Sequence, residues 1–152
     1  DSLLISESFS LDKIVSFVKE KSIKVIFIDS PDSSVFANSW FVDNPKDAYQ
    51  NLPWRLKNLA LKNNILIVCT SQLARNVDSR NPQYPQLCDL RPFAEFESAA
   101  DIVMLLHREA YYDAKKDQTK ATLLLEKHRR GQRQRIPVAF SPECGFFNFA
   151  RE

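Results

Sequence analysis

Three polar side chains stand where work on phosphate could be done. Gln72 follows directly on the apolar run Ile65-Leu66-Ile67-Val68-Cys69-Thr70, within Ser71-Gln72-Leu73-Ala74-Arg75. A neutral amide can accept from a water and donate to a phosphate oxygen at once, which suits a sensor of a terminal phosphate. A loop residue that caps backbone groups fits Gln72 equally well. Asp29 closes the run Val25-Ile26-Phe27-Ile28. A carboxylate at the C-terminal end of a strand can hold Mg²⁺ beside a nucleotide. Taken alone, Asp29 reads more plainly as the start of a turn with Ser30-Pro31-Asp32. Arg129 lies in Lys127-His128-Arg129-Arg130-Gly131, and a guanidinium is a planar, permanently charged match for phosphate oxygens. A solvated basic turn is the simplest account of that stretch, and contact with a nucleic-acid backbone is another.

These residues need a scaffold. The 152 residues suffice for one domain with a core. Ser10 caps an amphipathic helix over residues 10–21, with Ile14, Val15, Phe17 and Val18 on one stripe. Val25–Ile28 has the continuous apolar character of a strand buried on both faces. A polar loop spans 30–47. A helix follows from about Leu52 to Asn63, with Pro53 acceptable only in its first turn. Strand 65–70 completes a β-α-β alternation, so the class is α/β with right-handed crossovers. Beyond the polar segment 74–92 come a short helix at Ala94–Ala99 and a strand at 101–106. Strands near 121–126 and 135–140 form a hairpin arm around the basic tip, and Phe146–Phe149 adds an edge strand.

Composition narrows the setting. Net charge is +2, which argues neither for nucleic acid nor for membrane, but Lys127, Arg129, Arg130, Arg133 and Arg135 crowd one stretch without an acid. The three cysteines are widely spaced and form no CxxC pair, so a reducing cytoplasm is the simplest compartment. No apolar run is long enough to span a bilayer. His107 and His128 lack metal-site spacing, and Glu95 and Glu97 flank Phe96 as residues of a helix face. The only glycines are Gly131 and Gly145, so the phosphate-cradling pattern G-x-x-x-x-G-K-[ST] cannot form within these residues. The first residue is Asp rather than Met, and a fragment of a longer protein is expected.

In order, Leu56-Lys57-Asn58-Leu59-Ala60, Ser71-Gln72-Leu73-Ala74-Arg75, Asp89-Leu90-Arg91, Ala100-Asp101-Ile102-Val103-Met104, Arg108 with Tyr111-Tyr112, and Lys127-x-Arg129-x-Gly131 resemble the DnaB-type replicative helicases over roughly residues 22 to 150. The resemblance implies a RecA-like (P-loop NTPase) domain: a mostly parallel sheet flanked by helices, with a C-terminal β-hairpin arm. Residues 1–152 would form a single partial domain lacking the phosphate-loop strand. It implies ATP and Mg²⁺ as cofactors and a homo-hexameric ring around single-stranded DNA. Primase and a helicase loader would be partners of the parent protein. Asp29 becomes the Mg²⁺-linked carboxylate and Gln72 the sensor between ATP and DNA. Lys127 and Arg129 become cations that reach the neighbour's ATP site. Arg75, Arg91 and Ala94 fall in DNA-contacting segments.

The sequence also departs from that family. Arg91-Pro92-Phe93-Ala94 stands where Arg-Glu-Ser-Gly is usual, so one N–H donor and a flexible glycine are lost. Ser30-Pro31-Asp32-Ser33 replaces an apolar continuation after Asp29, and Arg130 and Gln132 replace Asn and Pro at the tip. Two readings follow: part of an ATP-driven helicase, or a degenerate paralogue that binds DNA or a ring without hydrolysing ATP. Another RecA-like ATPase, such as a recombinase, fits the paired Lys127 and Arg129 less well. The sheet is expected to be interrupted between strands 65–70 and 102–106, where such domains place their phosphate-loop strand, leaving apolar surface exposed.

Overall fold

The computed structural model describes residues 11–30, 45–90 and 94–149. The chain divides into two units, residues 1–72 and 73–152. In the first, α1 (Leu11–Lys21), β1 (Val25–Ile28), α2 (Pro45–Asn63) and β2 (Leu66–Cys69) follow one another. β1 and β2 pair in parallel with Val25 opposite Leu66 and Ile28 opposite Cys69. The core forms where the helical stripes meet one face of this pair: Ile14, Val18, Leu59 and Ile65 are buried, with Ile23, Ile26 and Ile67 against them.

Two expectations change here. β1 is not covered on both faces: Val25 and Phe27 are exposed, as is Leu66 on β2, while Ile28 is buried. Side chains alternate across a strand, and α1 and α2 supply apolar partners to one face. α2 also begins well before Leu52, so Pro53 lies inside it rather than in its first turn. An interior proline removes one backbone hydrogen bond. The burial of Leu52, Leu56 and Leu59 on one stripe offsets that loss.

The second unit holds two 3₁₀ turns (Arg75–Val77 and Leu87–Asp89), α3 (Ala94–Ala99), β3 (Ile102–His107), α4 (Glu109–Tyr112), β4 (Lys120–His128), β5 (Gln134–Ser141) and β6 (Phe146–Phe149). The strands form an antiparallel sheet in the order β3-β4-β5-β6. β4 and β5 are the expected hairpin arm, and β6 is the expected edge strand. Leu90, Val103, Leu105 and Leu124 make the core of this unit. β3 alternates strictly, with Val103, Leu105 and His107 inward and Ile102, Met104 and Leu106 exposed.

Among the described residues, the strands belong to these two sheets, and no ladder joins β2 to β3. That is the place where the interruption was expected. The exposed residues Ile102, Met104 and Leu106 form one apolar strip, and Val25, Phe27 and Leu66 another. Such strips favour association. The isolated chain should therefore grow in hydrodynamic size with concentration, as followed by light scattering. Met104→Glu should reduce the effect without lowering the melting temperature. A chain that stays monomeric at about 100 μM would contradict this reading of the exposed faces.

Candidate functional site

The site is built from strand ends and a hairpin tip. Because β1 and β2 run parallel and in register, their C-terminal ends lie side by side. Asp29 follows Ile28, and Thr70 follows Cys69. The Thr70 N–H donates to the Ile28 carbonyl at 3.0 Å, and the Thr70 hydroxyl donates to Asp29 Oδ1. Asp29 is exposed, and so is Gln72 two residues beyond Thr70. Burial pushes the neighbouring Cys69 thiol up to about 12, which keeps it neutral and makes it a packing residue.

Among the described residues no cluster of three or more His, Cys, Asp or Glu is placed to hold a metal. A lone exposed carboxylate with a hydroxyl beside it nevertheless fits Mg²⁺. That ion keeps most of its waters and takes one or two carboxylates together with substrate phosphates.

In the second unit, β4 ends in Lys127 and His128, and Arg129 begins the turn. The Arg129 N–H donates to the Asp101 carbonyl at 2.8 Å. The cationic side chains fold onto the C-terminal end of α3. Lys127 Nζ donates to the Glu97 carbonyl and, at 3.2 Å, to the Ser98 carbonyl. Arg129 Nη2 donates to the Ser98 carbonyl at 3.1 Å, and its Nε lies 3.4 Å from Asp101 Oδ1. The last carbonyls of a helix lack intrahelical donors and carry partial negative charge, so cations settle there. Arg129 remains exposed and Lys127 half-buried. The tip needs its glycine: a Cβ at Gly131 would lie 2.7 Å from His128 Nδ1, which accepts the Arg130 N–H at 3.2 Å.

Of the remaining expected site residues, Arg75 is exposed at the first 3₁₀ turn. Arg91, Pro92 and Phe93 lie outside the described residues. The backbone of Ala94 opens α3.

Sequence reasoning missed the bond that shapes the segment leading to Arg91. Arg80 grips Asp89 with two hydrogen bonds of 2.8 Å each and also donates to the Tyr84 carbonyl at 2.8 Å. The Gln86 N–H donates to Asp89 Oδ2 at 2.7 Å, and the Ala74 N–H donates to the Asp89 carbonyl at 2.8 Å. Asp89 is only 2% exposed. The Arg80 guanidinium holds its carboxyl below the usual carboxylate range against the opposing effect of burial. Arg80 lies in a polar, proline-containing stretch with no periodicity to mark it, so its only sequence signal was its charge.

A family profile described as the DnaB-like helicase C terminal domain matches residues 7–149. The chain belongs to this family. It is 28% identical over 142 residues to a probable plasmid replicative DNA helicase of Chlamydia psittaci, covering 93% of the chain and 31% of that protein. The chain thus spans about a third of the length of that curated relative. Among solved structures it superposes on a helicase-type ATPase domain with a TM-score of 0.80 at 25% identity, covering 93% of the chain and 52% of that one. A DnaB-like replicative helicase, solved in a study of its interactions with primase, shares the fold at a TM-score of 0.80 and 24% identity. The RecA-like expectation holds. Among the described residues its parallel part is the β1–β2 pair, and the larger sheet is the antiparallel arm.

Proposed function

We propose that this chain is the C-terminal part of the ATPase domain of a replicative DNA helicase, which unwinds duplex DNA by ATP-driven movement of a hexameric ring on single-stranded DNA in the cytoplasm. Family membership over residues 7–149 supports the class. The observation that carries the site is the placement of Asp29 and Gln72, both exposed, at the adjacent C-terminal ends of parallel strands. Nucleotide crevices in open α/β sheets lie outside those ends.

In this reading Asp29 holds Mg²⁺ through water or directly. The bound ion would neutralise phosphate charge. Gln72 contacts the terminal phosphate or its attacking water and passes its state to the segment Leu73–Arg75. Lys127 and Arg129 serve the ATP site of the adjacent subunit. Arg75, Arg91 and the backbone at Ala94 contact the DNA strand. The phosphate loop comes from sequence beyond these 152 residues. Primase and a loader are partners of the whole protein, by analogy with the primase interactions named for the DnaB-like relative.

The test is coupling. In the full-length polypeptide that carries this chain, Gln72→Ala should bring the ratio of DNA-stimulated to unstimulated ATP hydrolysis close to one and abolish strand separation. A variant that keeps the wild-type ratio would remove Gln72 from the sensor role.

A further inference from the structure

We propose that Asp101 is a positioning residue for Arg129, and that the junction Glu97–Asp101 is a cradle that presents this guanidinium in one orientation. The inference rests on the reading of Arg129 as a cation serving a neighbour's nucleotide.

Three acceptors converge on the tip of the β4–β5 hairpin. The Asp101 carboxylate lies 3.4 Å from Arg129 Nε, and the Ser98 carbonyl takes Nη2 at 3.1 Å. The Glu97 and Ser98 carbonyls also take Lys127, which lies two residues earlier on β4. The main chain is fixed as well, since the Arg129 N–H donates to the Asp101 carbonyl at 2.8 Å.

A guanidinium has five donors in a rigid plane. With Nε and one Nη2 hydrogen engaged on one edge, the plane is set, and Nη1 has no partner among the described residues. A flexible arginine reaching across a subunit boundary would lose rotamer freedom on engaging phosphate. One held in advance by Asp101 and Ser98 loses less. The side chains of Arg129 and Asp101 are 46% and 55% exposed, so the pair adds little to folding stability. Its contribution is orientation.

A second role competes: the two cations could serve only as a cap on α3. That role predicts a change in melting temperature when Asp101 is altered and no change in turnover. Positioning predicts the reverse.

Two measurements decide. In this chain, arginine side-chain NMR at pH 7 should show a slowly exchanging Arg129 Nε–H, and Asp101→Asn should speed its exchange several-fold with the melting temperature unchanged. Equal exchange in both proteins would overturn the proposal. In the full-length polypeptide, Asp101→Asn should lower kcat for ATP hydrolysis roughly ten- to a hundredfold with KM little changed, because small misplacements of a reacting geometry cost that much. Asp101→Glu should recover part of the rate. In an Arg129→Ala background, Asp101→Asn should have no further effect. Independent, multiplicative losses from the two substitutions would also overturn the proposal. Failure of the underlying reading shows itself separately, as an Arg129→Ala protein with an undiminished rate.

Discussion

Arg129→Ala in the full-length polypeptide should lower kcat for ATP hydrolysis roughly 1000-fold, at the lower end of what arginine fingers contribute. KM for ATP should stay within about a factor of two, because an interaction made chiefly in the transition state lowers turnover rather than substrate affinity. The structure supplies the reasons. Arg129 sits at the turn of a hairpin arm, is exposed, and leaves Nη1 unengaged among the described residues. Its own subunit gives it carbonyls and a carboxylate rather than phosphate. The phosphate it serves is therefore best sought on a neighbouring subunit. Arg129→Lys should recover little, since an ammonium cannot span Asp101, Ser98 and a phosphoryl oxygen from one plane. Lys127→Ala should act in the same direction. The measurement is steady-state hydrolysis with and without single-stranded DNA. A rate within a few fold of wild type would remove Arg129 from the chemistry.

The second large effect is on stability. Asp89→Ala should destabilise the unit 73–152 by about 3 kcal/mol, the loss typical of breaking a buried ion pair from one side. The carboxylate receives two hydrogen bonds from Arg80 and one from the Gln86 N–H while it is 2% exposed. Its removal strands both sets of donors. For a unit of this size the melting midpoint should fall by roughly 10–20 °C.

The same pair sets an acid limit. Arg80 lowers the Asp89 carboxyl below its ordinary value, so the folded state binds that proton less readily than the unfolded chain. The stabilisation is fully present above about pH 4 and is lost as pH falls through the lowered folded value. Urea titrations from pH 7 to pH 2 should show this loss in wild type and a shallower one in Asp89→Asn. Identical slopes in both proteins would show that Asp89 does not carry the effect.

What could be read from residues alone was the part governed by local pattern. The continuous apolar runs at 25–28 and 65–70 fixed both parallel strands, and a polar residue after each had to emerge at the same sheet end. The hairpin arm was legible because two β-rich runs bracket a basic turn with Gly131. The extent of α2 was not, since burial of Leu52, Leu56 and Leu59 outweighs the penalty at Pro53. The open face of β1 was not either: an apolar run states a preference for burial, and partners elsewhere decide whether it is met. Arg80 with Asp89, and Asp101 with Arg129, were invisible for a further reason. Residues 9 and 28 positions apart meet only after the turns and strands between them have formed.

The central claim is that Asp29 and Gln72 belong to one nucleotide site, completed by Arg129 of another subunit. Mixed rings test it most directly. Asp29→Asn and Arg129→Ala subunits of the full-length protein, each nearly inactive alone, are combined in equal amounts and assayed for ATP hydrolysis. If Arg129 acts across the boundary, about one interface in four pairs an intact Asp29 with an intact Arg129, and activity returns toward roughly a quarter of wild type. A mixture no more active than its two components would place both residues in the same subunit's site and contradict the account.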